Sequence, residues 1–158
     1  MRYDVSIVLE LLKIGKRKIA PCRLTIDGTP NEVELFVITI MNNKHSGVGL
    51  RLSPFAQMDD GKIDIMYTAK AIKSVAKALK LDGMIKSKGK HVNDTLVDYA
   101  QASSTIELEC DGEPQRVMVD GDLVGFTPVK MQVLRGAFKL FTPQRSGCLL
   151  YTSDAADE

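Results

Sequence analysis

Short stretches in which apolar and polar residues alternate, separated by turn-forming residues, constrain the fold more than any other feature of the sequence. Within Thr105–Cys110, for example, Ile106 and Leu108 alternate with glutamates, which is the period-two pattern of a half-buried strand. Strands are predicted at Cys22–Ile26, Val33–Met41, Ile63–Tyr67, Thr105–Cys110, Gln115–Asp120, Val129–Leu134 and Phe138–Phe141. Strands that recur every roughly 8–12 residues favour an antiparallel β-sandwich within a mainly β (α+β) fold.

Two short amphipathic helices are predicted outside these strands. The first begins at an Asp4 cap, ends at Gly15 and carries apolar residues at positions i, i+3, i+4 and i+7. The second spans Lys70–Leu81, and its inward-facing residues are Ile72, Val75 and Leu79. Lys16-Arg17-Lys18 forms a basic cluster after the first helix. It could contact anionic lipid or phosphate, but a solvated helix end is favoured.

Composition narrows the class of protein. The chain has 158 residues, of which 44% are hydrophobic, enough for one core. It contains neither a signal-peptide pattern nor an apolar run of membrane-spanning length. The net charge of +1 does not indicate a nucleic-acid partner. The three cysteines lack metal-binding spacing, and such an odd, sparse set indicates a reducing compartment. We therefore expect a cytoplasmic protein.

The last residues, 148–158, read Cys-Leu-Leu-Tyr-Thr-Ser-Asp-Ala-Ala-Asp-Glu. This segment resembles the translation of a transposase adapter used in making sequencing libraries. We expect a non-native tail here, because the segment also lacks the apolar periodicity of a packed element. Residues 1–147 would then form the domain, and the native chain would continue past Gly147.

The stretch Ser53–Ile65 leads through a proline and an acidic turn, Asp59-Asp60-Gly61, into an alternating strand. Two adjacent carboxylates surrounded by backbone carbonyls could hold one hard divalent cation. A polar hairpin turn is the alternative. Asp120-Gly121-Asp122 repeats the pattern after a later strand.

Three other segments invite a functional interpretation. Asp27–Glu32 contains Asp-Gly-Thr, but no helical pattern follows it, so we interpret it as a hairpin turn and reject a phosphate loop. Gly47 and Gly49 follow an asparagine-rich loop and could let the backbone approach a ligand, although a plain strand connection is the default. His91 follows Gly-Lys without acidic or cysteine neighbours, so a structural or exposed histidine is favoured over a catalytic one.

The order of these motifs carries a resemblance. An asparagine-rich loop is followed by Gly-x-Gly, Ser-Pro-Phe-Ala-x-x-x-Asp-Gly-x-Ile-Asp-Ile, Gly-Lys-His and Val-Asp-Gly-Asp-x-x-x-x-Thr-Pro-Val. From Arg2 to Pro143 the chain resembles the C-terminal β-sandwich domain of the diacylglycerol kinase and sphingosine (long-chain base) kinase superfamily. Members of this superfamily phosphorylate a lipid hydroxyl with ATP and magnesium across a cleft between two domains. Their N-terminal domain, with its Gly-Gly-Asp-Gly-Thr loop, is not in this chain.

The resemblance implies a metal site in the acidic turn. A structural Mg²⁺ would be bound there by the carboxylate of Asp60 and by the backbone carbonyls of Gln57 and Lys62. Such an all-oxygen ligand set suits magnesium.

The resemblance also implies a carboxylate near the nucleotide, in an Asp-Gly-Glu motif. Asp111-Gly112-Glu113 matches the letters of that motif, whereas Asp120-Gly121-Asp122 matches its spacing to the closing strand. We choose the second, which makes Asp122 the catalytic residue and places Asp120 and Gly121 beside the nucleotide. Aspartate in place of glutamate shortens the reach of the base by one methylene, but an aspartate can still serve as base or hold a water.

The implied partners are a lipid substrate, diacylglycerol or a sphingoid base, and ATP bound mainly by the absent domain. Peripheral contact with a membrane is expected, and this chain alone should be inactive. A non-catalytic β-sandwich module that binds lipid or protein is the alternative.

Overall fold

The computed structural model describes residues 21–46, 50–70, 72, 74–86 and 89–139. Nine strands, one α-helix and one 3-10 helix lie in these ranges. In chain order they are β1 (Cys22–Ile26), β2 (Thr29–Val33), β3 (Ile38–Met41), β4 (Ile63–Tyr67), α1 (Val75–Lys86), the 3-10 helix Lys90–Asn93, β5 (Asp98–Ala102), β6 (Thr105–Cys110), β7 (Arg116–Val119), β8 (Asp122–Phe126) and β9 (Val129–Gln132).

The strands form three antiparallel sheets. One sheet has the order β2-β1-β6-β9, a second has the order β3-β4-β5, and among the described strands β7 pairs with β8 alone. One core cluster draws Leu24 and Ile106 from the four-stranded sheet and Ile65 and Ala102 from the three-stranded sheet. The two larger sheets therefore pack face to face through that cluster, and the predicted antiparallel, mainly β fold is confirmed.

The three-stranded sheet is covered on both faces. Ile65 and Tyr67 of β4 face the four-stranded sheet, whereas Met66 packs in a second cluster with Ala78 and Leu81 of α1. Every β4 residue from Asp64 to Tyr67 is consequently buried. Alternation in β4 thus separates two buried faces rather than a buried face from a solvated one.

The helix lies later in the chain than its predicted range. It begins at Val75 rather than Lys70 and continues to Lys86. The buried residues of α1 are Ala78 and Leu81, whereas Leu79 is 49% exposed, so its predicted inward orientation is wrong. Ile72 is buried as expected, although it precedes the helix. Of the two predicted helices only the second falls within the described residues, which contain one α-helix and a 3-10 helix.

The prediction of one continuous strand over Val33–Met41 is wrong. This apolar run contains the last residue of β2, a crossover between sheets, and β3. Thr68 holds the crossover, because its Oγ1 accepts hydrogen bonds from the backbone N–H groups of Phe36 at 2.9 Å and Val37 at 3.2 Å. Leu35 packs on one core cluster and Phe36 and Val37 pack on the other. The crossover is therefore apolar except at Glu34, which is why its composition did not indicate the break.

Other boundaries also differ from the predictions. The expected turn at Asp27–Glu32 is a two-residue turn, Asp27-Gly28, followed at once by β2. Strands β5 and β8 were not predicted. Gln115–Asp120 and Val129–Leu134 shorten to β7 and β9, and the described part of Phe138–Phe141 is not a strand. The first predicted helix, Lys16–Lys18, Gly47, Gly49 and residues 148–158 lie outside the described residues.

Cys22 and Cys110 form a disulfide between directly opposed positions of β1 and β6. Eighty-eight positions separate the two residues in the sequence, so spacing alone could not predict the pair. The disulfide contradicts the expectation of reduced thiols at these two positions. Within the described residues, no helix is long and apolar enough to cross a bilayer.

Candidate functional site

The segment Ser53–Lys62, here called the acidic turn, lies between β3 and β4. It begins with a buried Ser53 and a buried Ala56 and ends in a tight reversal at Gly61, whose φ of 71° favours glycine. Asp60 Oδ1 accepts a hydrogen bond from the backbone N–H of Lys62 at 2.9 Å. This side-chain-to-backbone bond fixes the orientation of one predicted metal ligand relative to another.

The donors of the acidic turn suit a hard cation. Asp60 would contribute a carboxylate, and Gln57 and Lys62 would contribute backbone carbonyls, all of them oxygen ligands. In the part of the chain that the structure describes, no group of three or more His, Cys, Asp or Glu side chains is placed to hold a metal. A magnesium ion here would therefore depend on one carboxylate, carbonyl oxygens and water.

Arg135 lies against the same turn. A Cβ added to Gly61 would lie only 3.0 Å from Cδ and 3.1 Å from Nε of Arg135. Any larger residue at Gly61 would displace this side chain. The guanidinium also places a positive charge beside the turn, which opposes cation binding and offsets part of the negative charge of Asp59 and Asp60.

The 3-10 helix anchors the chain just before the acidic turn. His91 is fully buried, and its Nε2 donates to the backbone carbonyl of Leu52 at 2.9 Å. Burial lowers the pKa of His91, and the bond to Leu52 partly offsets that effect. Gly89 approaches so closely that an added Cβ would lie 3.1 Å from the carbonyl oxygen of Arg51. His91 thus has a structural role, one of the two alternatives that the sequence favoured.

A buried polar cluster lies on the sheet directly behind the acidic turn. The Asp64 carboxylate has no exposed surface, and its Oδ1 accepts hydrogen bonds from Tyr99 Oη at 2.7 Å and Gln101 Nε2 at 3.1 Å. Burial is the main cause of the raised pKa of Tyr99, and the hydrogen bond to Asp64 raises it further. Sequence reasoning missed this cluster, although an aspartate between isoleucines in an apolar strand is a recognisable signal.

The predicted catalytic motif lies at the turn of the β7–β8 hairpin. Asp120 has a φ of 51° and Gly121 a φ of 98°, as in the two-residue turns whose twist matches that of paired strands. Asp122 begins β8 and is exposed. In the described ranges, no hydrogen bond or ion pair joins Asp122 to the acidic turn. The structure therefore leaves the two predicted sites unconnected.

The competing motif, Asp111-Gly112-Glu113, lies in the connection from β6 to β7 and is also exposed. The Asp111 N–H donates to the carbonyl of Pro21 at 2.9 Å, and the Glu113 carbonyl accepts from Gln115 Nε2 at 2.7 Å. These bonds hold the backbone and leave the Glu113 carboxylate exposed. The choice between Glu113 and Asp122 remains a prediction.

Asp27 occupies the turn that the sequence analysis rejected as a phosphate loop. Its carboxylate accepts hydrogen bonds from three consecutive backbone N–H groups, those of Ser103, Ser104 and Thr105, at 2.8–3.0 Å. These bonds, with those from the serine hydroxyls, lower the pKa of Asp27. A strand follows the turn, so a helix N-terminus that could cradle phosphate is missing there, in agreement with the rejection.

Three comparisons with known proteins relate this fold to a family. The family model described as "YegS C-terminal NAD kinase beta sandwich-like domain" matches residues 1–142. A search of curated proteins found no significant match. Among solved structures, a protein of Bacillus anthracis str. Sterne assigned provisionally as a diacylglycerol kinase has a TM-score of 0.60 and 25% identity over 80% of this chain.

A second Bacillus anthracis str. Sterne structure, described as a diacylglycerol kinase, has a TM-score of 0.59 and 26% identity over 84% of this chain. The aligned regions are 41% and 47% of those two chains, so this chain spans less than half of each relative. Because the family model covers most of the sequence, the chain belongs to the YegS C-terminal NAD kinase beta sandwich-like domain family.

Proposed function

We propose that this chain is the β-sandwich half of an ATP-dependent lipid kinase that phosphorylates a lipid hydroxyl, on diacylglycerol or a sphingoid base. The observation that carries the proposal is the shared fold, at 25–26% identity, with two structures described as diacylglycerol kinases. Membership of a family whose description names a kinase-like domain supports the same class of reaction.

In this proposal Asp122 is the general base. The lipid hydroxyl oxygen forms a bond to the γ-phosphorus of ATP, the bond from that phosphorus to the bridging oxygen breaks, and the hydroxyl proton passes to the Asp122 carboxylate. Phosphoryl transfer depends mainly on positioning and on stabilisation of charge, so an aspartate that orients the hydroxyl suffices for this role. Asp120 and Gly121 would approach the nucleotide through their backbone.

The acidic turn would serve as a frame for the domain rather than as the reacting centre. A bound magnesium ion would supply positive charge that holds the turn together through Gln57, Asp60 and Lys62. Most of the ATP contacts would come from a nucleotide-binding half corresponding to the part of the relatives that this chain does not match. The isolated chain would then bind ATP weakly and transfer no phosphate.

Contact with the lipid would occur at a membrane surface in a cytoplasmic protein. Phe55, which is 57% exposed, and Met58, which is 59% exposed, form an apolar tip on the acidic turn. Exposed apolar side chains of this kind are suited to peripheral contact with a membrane surface.

A second candidate is a non-enzymatic module that binds lipid or protein. The exposed apolar residues of the β7–β8 hairpin favour it, because such side chains on a small hairpin are suited to binding a partner. They are Met118, Val119, Leu123, Val124 and Phe126.

Labelled-phosphate transfer separates the two candidates. The longer protein that the proposal requires, with a nucleotide-binding half restored, should phosphorylate diacylglycerol or sphingosine in mixed micelles with ATP and magnesium. The present chain alone should not. If the longer protein binds these lipids and transfers no phosphate to either, the binding module is the better description. Transfer by the present chain alone would refute the proposed division between the two halves.

A further inference from the structure

Asp64 is the one charged residue among the fully buried side chains of the described ranges. None of the ion pairs found in those ranges involves it. Its Oδ1 has two donors, whereas its Oδ2 is buried without a hydrogen-bond partner. Burying a carboxylate in this way is costly, and an apolar residue would pack the same space more favourably. A buried carboxylate at Asp64 therefore indicates a role that requires directional hydrogen bonds.

The two donors to Asp64 come from β5, the neighbouring strand. Gln101 lies directly opposite Asp64 in the pairing of β4 with β5, and Tyr99 lies opposite Met66. Both side chains lean toward the same carboxylate oxygen. A single residue of β4 therefore fixes the rotamers of two side chains that project from β5.

Each of these two side chains reaches one arm of the acidic turn. The ring of Tyr99 meets the ring of Phe55 edge-on at a centroid distance of 5.5 Å, on the arm before Asp60. Oε1 of Gln101 accepts from Nζ of Lys62 at 3.5 Å, on the arm after Asp60. Asp64 is thus linked to both arms of the turn, through a ring contact on one side and a long hydrogen bond on the other, and Asp60 lies between those arms.

We propose that Asp64 is a positioning residue for cation binding in the acidic turn, acting through Tyr99 and Gln101. The inference rests on the magnesium site of the proposed function. Magnesium demands ligand distances of about 2.0–2.1 Å in near-octahedral geometry, and two of the three implied ligands here are backbone carbonyls. A backbone can meet that demand only when its path is fixed, and hydrogen-bonded groups behind the ligands commonly fix it.

The test is a magnesium titration of the purified chain, without ATP or lipid, followed by isothermal calorimetry and by the melting temperature. Tyr99→Phe keeps the ring that packs on Phe55 but removes the hydroxyl that holds Asp64. We expect its magnesium dissociation constant to rise about 10–100-fold, the usual cost of losing a group that orients a ligand. Gln101→Leu should act in the same direction.

Tyr67→Phe is the matched control. Tyr67 is a buried tyrosine of the same three-stranded sheet, but it faces the core between the two larger sheets, whereas Tyr99 is half-buried. Loss of the Tyr67 hydroxyl should leave the magnesium dissociation constant unchanged, whatever its effect on the melting temperature. Asp60→Ala should abolish the binding signal, which would assign that signal to the acidic turn. Calorimetry well below each melting temperature separates affinity from stability, so a destabilised variant remains informative.

Equal dissociation constants for the parent and Tyr99→Phe would overturn the inference. So would binding that survives Asp60→Ala, or the absence of magnesium binding in the parent. Because neither lipid nor ATP is present, a failure of the kinase proposal would leave these measurements unaffected, and the two hypotheses fail separately.

Discussion

The hydroxyl of Thr68 should be a large contributor to stability, and Thr68→Val tests this. Thr68 is fully buried at the end of β4, and its Oγ1 accepts from the backbone N–H groups of Phe36 and Val37. Valine keeps the shape of threonine but leaves both N–H groups without an acceptor. A buried unsatisfied donor costs about 1–3 kcal/mol, and because these two donors are only half-buried we expect a total loss of about 2–4 kcal/mol.

Thr39→Val supplies the matched control, because Thr39 lies nearby on β3 and its Oγ1 is buried without a partner. Removing an unpaired buried hydroxyl should be neutral or should stabilise the protein by up to about 1 kcal/mol. Thr68→Ser, which keeps the acceptor, should recover much of the loss caused by Thr68→Val.

Urea unfolding followed by circular dichroism measures all three variants. With a slope of about 1–3 kcal/mol/M, the midpoint for Thr68→Val should fall by about 1–2 M, and that for Thr39→Val should stay or rise. If Thr68→Val were no more destabilising than Thr39→Val, the two hydrogen bonds to the Thr68 hydroxyl would not hold the crossover. That result would refute the account of why the chain changes sheets where it does.

Three further predictions concern the candidate sites and pH. In the longer kinase, Asp122→Asn should lower kcat by about 10²–10⁴, the usual scale for a lost acid–base group, whereas Glu113→Gln should have little effect; the reverse result would move the catalytic role to Glu113. Asp60→Ala should abolish magnesium-dependent gains in melting temperature, and Asp59→Ala should reduce them less; identical responses would leave only a polar turn. Asp27, whose native pKa is lowered, contributes stability above the ordinary carboxyl pKa of 3.8 that is lost as pH falls through the native value. Asp27→Asn should therefore weaken the dependence of the free energy of unfolding on pH at acidic pH. An unchanged pH dependence would contradict this.

The sequence predicted those features whose cause is local. β1 matches the predicted strand at Cys22–Ile26, and β6 matches Thr105–Cys110, because hydrophobic alternation and adjacent turn residues are sufficient to define both. Turn chemistry likewise indicated the reversals at Gly28 and Gly61, where φ is positive.

The features that the sequence did not reveal depend on partners far away in the chain. The break in Val33–Met41 depends on Thr68, the disulfide of Cys22 depends on Cys110, and the rotamer of Tyr99 depends on Asp64. Periodicity reports which face of an element is apolar, but it does not report which distant group meets that face. The metal ligands and the catalytic aspartate came from a resemblance, and they remain predictions.

Any reaction at Asp122 depends on the stability of the β7–β8 hairpin, which carries this residue. The hairpin pairs with no other described strand, and its base is closed by two hydrogen bonds between Gln115 and Thr127. Its amide protons should exchange with solvent by local opening, well before those of β1 and β6. A partner domain or protein that packed on the hairpin would slow this exchange. Formation of that interface and ordering of the Asp122 carboxylate would then occur together, as one thermodynamic step.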